Sequence, residues 1–404
     1  MGELGNQNTS NLYPFYEILP VKSNSGNWLV NGGKTNTADI PSLVSTLLTW
    51  ERVRSFNVGF DFGAFSNRLT GSFDYFVRKT VDMVGPAPQL PLVLGIAPAI
   101  VNNADMKSYG FEIELSWRDR IGEVDYGVKF NLADAQQKVV KYPNTTNAFS
   151  DWYAGKMSGE IWGYTSLGIA KTDEEMKEHL ASLPNGGQNQ LGNKWGAGDI
   201  MYADINGDGK IDGGKGTLAD PGDQRIIGNS TPRYNFGLVL DASYKGFDVS
   251  IFFQGVGKRD YAPIVGTNGA VFWGAVNNIW QSMAMEEHFD YFRPEGHPMG
   301  ANLNGYYPRP DFTSNKNHQV QTRYLQDASY IRLKNLQIGY TLPKQWINKL
   351  HINRCRVYVS GDNLWTGTSL ASMFDPETLA AGDWGSGKTY PLSKVISFGL
   401  NVNF

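Results

Sequence analysis

Nine consecutive residues carry the sharpest chemical signal in this chain: Asp204-Ile205-Asn206-Gly207-Asp208-Gly209-Lys210-Ile211-Asp212. Oxygen-bearing side chains recur at Asp204, Asn206, Asp208 and Asp212, with Lys210 at the seventh place, as in the opening of a calcium-binding loop. Gly209 permits the sharp bend that lets those oxygens converge on one ion. The twelfth place is Lys215, so the closing bidentate Glu is missing there. The same spacing also describes an Asx-rich surface turn that needs no ion, and both readings stand. Gly209 through Gly216 nearly spells a phosphate-binding loop. Gly216 fills the hydroxyl place, the preceding segment is hydrophilic and no helix follows, so that reading is rejected.

Catalytic constellations are scarce. His179, His288, His297, His318 and His351 show no metal-ligand spacing, and neither a nucleophile elbow nor a Gly-rich dinucleotide turn occurs. Glu112 and Glu114 share one polar strand face, which suits a hydrated interior better than acid–base chemistry. An enzyme is not expected. Aromatic placement points to a ligand instead. Trp152, Trp162, Trp195, Trp273, Trp280 and Trp384 fall in long loops, as do Trp28, Tyr153, Tyr306 and Tyr307. Their faces suit sugar rings or apolar peptide side chains, and they serve equally to pack loop against loop.

The elements that must position these residues are strands. Gly (46 residues) and aromatics (13%) are abundant while only 19% of residues are charged, which argues against disorder and coiled coils. A net charge of −3 leaves no electrostatic footprint for nucleic acid. The single Cys, Cys355, excludes a disulfide framework or a Cys-based zinc cluster. Met1 to Gln7 lacks the charged flank and apolar run of an export signal, so either the protein is cytosolic or the chain lacks its true beginning. No apolar run approaches a spanning helix, and spanning β-strands would escape that test.

Period-two alternation dominates. Phe56, Val58, Phe60 and Phe62 interleave with Asn57, Gly59 and Asp61; Phe111, Ile113, Leu115 and Trp117 interleave with Glu112, Glu114 and Ser116; Ile396, Phe398, Leu400, Val402 and Phe404 repeat the pattern at the end. About nine membrane-length strands follow, near 51–63, 68–84, 106–118, 124–140, 233–244, 247–260, 329–342, 354–365 and 393–404. Tight turns after Phe62, Trp117 and Tyr244, and a turn with a brief helix through Leu342–Leu350, alternate with long excursions at 84–105, 141–232, 261–328 and 366–392. Short turns on one rim and long loops on the other describe an outer-membrane barrel. Trp117, near a turn on the apolar face, reads as part of an interfacial belt. Within the loops, Thr172-Asp173-Glu174-Glu175 predicts a helix start before Met176, Leu180 and Leu183, and Val276, Ile279, Trp280 and Met283 have helical spacing.

Several segments in order resemble one family. Asn57-Val58-Gly59-Phe60-Asp61-Phe62, Asn67 through Tyr75, Asp327-Ala328-Ser329-Tyr330-Ile331-Arg332-Leu333-Lys334-Asn335-Leu336, Val357 through Leu364, Phe374-Asp375-Pro376-Glu377 and Ile396 through Val402 are similar to the C-terminal part of SusC/RagA-type TonB-linked outer-membrane transporters. The resemblance spans essentially all of residues 1–404, and Gly2 to Gln7 resembles the end of a preceding strand. It implies an all-β fold, an antiparallel transmembrane β-barrel portion of about nine strands out of 22. It also implies a plug domain, a TonB box and further strands outside this chain. The implied setting is the outer membrane of a Bacteroidetes-like cell, with import of oligosaccharide or else peptide. The implied partners are the TonB system, outer-membrane lipid and a SusD-like lipoprotein lid. Asp223 resembles the family's closing acid for the Asp204–Asp212 loop, displaced by Gly213 to Gly216, with Asp220 a second candidate. The rival readings are a secreted β-sandwich and a non-transporting surface glycan-binding or adhesin protein.

Overall fold

A computed structural model describes residues 2–6, 14–41, 43–87, 93, 95–96, 98–263, 270–274, 285–311, 316–348, 351–379 and 389–404. The alternating segments form one antiparallel sheet of ten strands, each paired with its sequence neighbours. In chain order these are β1 (Gly2–Asn6), β2 (Glu51–Ala64), β3 (Leu69–Val84), β4 (Asn102–Ile121), β5 (Val124–Lys141), β6 (Arg233–Tyr244), β7 (Phe247–Lys258), β8 (Tyr330–Thr341), β9 (Arg354–Thr368) and β10 (Val395–Asn403). The nine expected long strands are all present. The tenth is the short β1, paired with β2 from Gly2↔Ser55 to Asn6↔Glu51.

Strand β4 begins earlier than the alternation indicates. Asp82 takes a positive φ of 54° and the β3–β4 register shifts there. Beyond that irregularity the Asn102 side chain bonds the Thr49 and Asp82 carbonyls, so pairing resumes where the apolar pattern has already lapsed. Tight connections join β2–β3, β4–β5 and β6–β7. The β8–β9 link carries the expected brief helix, Lys344–Ile347. All the long connections leave the opposite rim.

Period-two geometry separates the faces cleanly. Phe56, Val58, Phe60 and Phe62 on β2, Ile338 on β8, Val357 on β9 and Ile396, Phe398 and Leu400 on β10 are all exposed, on the apolar face. Among the described residues no second layer covers them, which removes the sandwich reading: such a face is stable against hydrocarbon and costly in water. Near the short-turn rim, Trp117 packs its ring edge on Phe65 and donates Nε1–H to Tyr126 Oη at 3.1 Å, and Phe247 contacts Tyr340 at 4.4 Å. These rings stand at the rim where an interfacial belt is expected.

The buried core lies in the loops. Tyr164, Ile200, Tyr202, Ile211, Phe272, Trp273, Tyr324 and Phe374 belong to one cluster that ties together the connections 142–232, 259–329 and 369–394. The expected helix is α1 (Asp173–Ala181). Thr172 Oγ1 accepts the Glu175 N–H at 3.1 Å, satisfying an orphan donor of the first turn, and Met176 is buried. The second loop helix, around Val276–Met283, lies outside the described residues.

Candidate functional site

Three features gather the polar groups of the chain: the polar face of the wall, the loop assembly at its long-loop rim, and the acidic turn within that assembly. On the wall, Asn57, Asp74, Arg78, Ser108, Glu112 and Gln137 line one recess. Direct pairing of Asp74 with Glu112 and of Arg78 with Ser108 places them on one face, so donors and acceptors of both signs stand side by side. Glu114, one polar position further along, is engaged by Lys129 at 2.6 Å. The carboxylates of this face share the polar side of the wall, as their alternation implied.

The loop assembly is held by buried charges. Asp199 is fully buried and accepts five donors: Arg309 Nε (2.8 Å) and Nη2 (2.6 Å), Lys316 Nζ (2.9 Å), Asn317 Nδ2 (2.9 Å) and the Gly196 N–H (2.9 Å). Donor number on this scale is what lets a carboxylate stay in an apolar surround. A second cluster joins loop to wall: Arg332 on β8 reaches Asp375 (2.8 Å) and Glu377 (3.1 Å), and Lys334 reaches Glu377 (2.8 Å). Sequence reasoning noted the segments holding Arg332 and Asp375 but gave these residues no role, and it missed Asp199 altogether. The partners of Asp199 lie more than 100 positions away, so no local spacing reveals them.

Four of the six tryptophans fall within the described residues; Trp280 and Trp384 lie outside them. Trp273 is only 1% exposed and is enclosed by Phe272 (4.9 Å), Tyr324 (4.8 Å) and His318 (4.5 Å), so it packs the loop core and offers no face to a ligand. Its place in the expected ligand set is corrected accordingly. Trp162 stacks on Phe149 at 4.5 Å. Trp195 donates to the Gly192 carbonyl and has Lys316 Nζ 5.0 Å above its ring. Trp152 is half-buried and meets Tyr142 edge-on at 6.0 Å. Tyr202 and Tyr324 have their phenols pushed upward by burial and stay protonated.

The acidic segment folds as a turn whose side-chain oxygens accept its own backbone N–H groups. Asp204 accepts the Gly207 (2.7 Å) and Gly209 (2.8 Å) N–H groups, Asn206 that of Asp208 (3.0 Å), Asp208 that of Lys210 (3.1 Å), and Asp212 that of Gly214 (2.7 Å). Gly207 and Gly209 adopt φ of 76° and 79°, the left-handed conformation such a bend requires. Asp223 is fully buried and bridges the two ends, Oδ1 accepting the Ile205 N–H (2.8 Å) and Oδ2 the Asp212 N–H (2.9 Å). Burial raises its pKa against those hydrogen bonds. Ile211 buries fully in the loop core, which fixes the turn to the assembly.

The donor set is chemically that of a hard cation, yet the groups do not converge on one point. Among the described residues no three acidic, His or Cys groups are arranged to hold a metal. The Lys210 ammonium stands in the turn, 2.5 Å from Asp212 and 3.8 Å from Asp208, and holds the Asp212 carboxyl below its ordinary pKa. In this arrangement the turn satisfies itself.

Comparison with known proteins accords with this geometry. A family model described as TonB dependent receptor-like, beta-barrel matches residues 5–364. TonB-dependent receptor P3 of Formosa agariphila is 28% identical over 96% of the chain and 38% of its own length. TonB-dependent receptor SusC of Bacteroides thetaiotaomicron is 20% identical over 100% of the chain and 37% of its own length. The chain thus spans less than two fifths of these curated relatives. Among solved structures, one described as the RagAB peptide transporter superposes with a TM-score of 0.70 at 23% identity, over 100% of the chain and 40% of that one, a likeness of fold.

Proposed function

The chain belongs to the TonB-dependent receptor β-barrel family of outer-membrane proteins, and on that footing we propose that it supplies barrel wall and external loops to a larger nutrient importer. The observation that carries this reading is the sheet itself: apolar side chains point outward, and a mixed polar recess at Asp74, Arg78 and Glu112 faces inward beneath an ordered loop assembly. A polar path of this kind suits a hydroxyl-rich or amide-rich solute, and our first assignment is an oligosaccharide, with peptide second. Energy would come from the TonB system acting on the longer protein. The loops 142–232 and 259–329 would grip a SusD-like lipoprotein lid. Cells carrying the intact gene, offered labelled oligosaccharides and labelled peptides in turn, test the assignment. Uptake of glycan that falls on combining Arg78→Ala with Glu112→Gln is the expected result, and uptake of neither class would favour a non-transporting surface glycan-binding or adhesin protein.

Calcium held by the side chains of Asp204, Asn206, Asp208 and Asp212 and by the Lys210 backbone carbonyl, with Asp223 bracing the turn, is a separate proposal. The carboxylates retain lone pairs beyond those given to backbone N–H groups, so a cation would enter once the Lys210 ammonium withdrew. That competition points to weak affinity, on the order of the millimolar range of extracellular modules. Calcium titration should show tighter binding in Lys210→Ala than in the parent, and calcium uptake by neither would leave the turn ion-independent.

A further inference from the structure

The outward face of the wall carries one feature that import does not use. The pairing register aligns Arg54 with Lys79, Lys79 with Lys107, and Lys107 with Lys138, a row of four cations across β2, β3, β4 and β5. Directly opposed residues share a face. Arg54 lies two positions from Phe56, Lys79 two from Val77, and Lys107 two from Tyr109, over whose ring its Nζ stands at 5.0 Å. The row therefore borders the apolar face on the long-loop side, which in this family is the outer leaflet of the outer membrane.

Like charges directly opposed across a sheet destabilise it. Several other cations of the wall are paired with carboxylates: Arg120 with Asp125, Lys129 with Glu114, Arg356 with Asp248, Arg233 with Asp134. Within the row, Glu3 balances Arg54 at 2.8 Å, and the nearby Asp82 is engaged by Arg52. Asp105, just beyond the row, accepts the Asp82 N–H. Among the described residues Lys79, Lys107 and Lys138 have no carboxylate within ion-pair reach. Neighbouring strands lie about 4.8 Å apart, so three ammonium groups on flexible stems span about 10 Å, the scale of a phosphate-bearing headgroup.

We propose that Lys79, Lys107 and Lys138 bind the headgroup phosphate of an outer-leaflet glycolipid whose acyl chains cover the apolar face below. The inference rests on the outer-membrane placement of the family and is independent of import, so either reading can fail alone. The test uses the intact outer-membrane protein in mild detergent, with phosphorylated lipid A, phosphatase-treated lipid A and inorganic phosphate as probes read by native mass spectrometry. Each juxtamembrane cation contributes about fivefold to attraction of anionic lipid, so the triple variant Lys79→Gln, Lys107→Gln, Lys138→Gln should bind phosphorylated lipid on the order of a hundredfold more weakly. Phosphatase-treated lipid should bind parent and variant alike, Lys107→Gln alone should show a partial loss, and Lys245→Gln on the other rim none. Without lipid, the triple variant should melt no lower than the parent, since it relieves repulsion. Equal binding of phosphorylated lipid by parent and triple variant would overturn the proposal, and so would displacement of the lipid by submillimolar inorganic phosphate, which would make the row a site for the free anion.

Discussion

Asp199→Asn should loosen the loop assembly while leaving the wall intact. The carboxylate faces five donors, three of them on the Arg309 and Lys316 cations. An amide in its place turns a donor toward donors and leaves Lys316, only 1% exposed, with carbonyl partners at Asn193 (3.2 Å) and Lys194 (3.0 Å) and Asp311 at 3.6 Å. Removing one member of a buried ion pair costs about 3–5 kcal/mol. The lower end applies here, because Arg309 is 37% exposed and water screens its share. The loss should appear as local opening: the Ile200 N–H, bonded to Asn317 Oδ1 at 3.0 Å, and the Tyr202 N–H, bonded to Gln188 Oε1 at 2.6 Å, report on the same cluster. About 3 kcal/mol corresponds to exchange faster by roughly a hundredfold or more across 196–202 and 316–322, with β2–β5 unchanged. Hydrogen exchange read by mass spectrometry measures it. Acceleration of less than about fivefold would refute the claim that Asp199 holds these loops together.

Three further outcomes are expected. Burial lowers the His318 pKa from its ordinary 6.5 to about 4. The folded loops therefore resist a proton that the unfolded chain accepts: stability is flat above about pH 6.5, falls as pH drops toward 4 by about 3 kcal/mol in total, and levels below. Denaturant melts followed by tryptophan fluorescence should show this slope, and His318→Gln should flatten it. Phe60→Lys on the apolar face should cost about 2–4 kcal/mol in a bilayer if Phe60 lies near its midplane, read as lost heat-modifiable folded band on a gel. Gly255→Val should block wall assembly by the same assay, because an added Cβ would meet the Tyr330 carbonyl oxygen at 2.3 Å and Phe236 Cζ at 2.4 Å.

The wall was legible because its information is local. Strand, face and turn follow from a two-residue period, so Phe56 to Phe62 and Ile396 to Leu400 declare both the element and the side that meets lipid. The boundaries slipped where that period failed, at the Asp82 irregularity before β4, and where β1 is too short to show it. The loop tryptophans did not by themselves show that Trp273 packs the loop core, because an aromatic that packs and one that binds look the same until its neighbours are known. In the Asp204–Asp212 turn, the sequence supplied the donor atoms, whereas the orientation of Lys210 and the bridging by Asp223 depend on how the turn docks through Ile211.

Taken by itself, the order of residues determined the all-β class, the alternation of short turns with long loops, and the family, since each depends on neighbours a few positions apart or on motifs read whole. Only the tertiary structure decided that Asp199 meets Arg309 and Lys316, that Arg332 clamps Asp375, and that Arg54, Lys79, Lys107 and Lys138 fall in one row. Those relations are set by strand register and loop docking, in which each contact depends on the summed packing of many residues rather than on the identity of any nearby few.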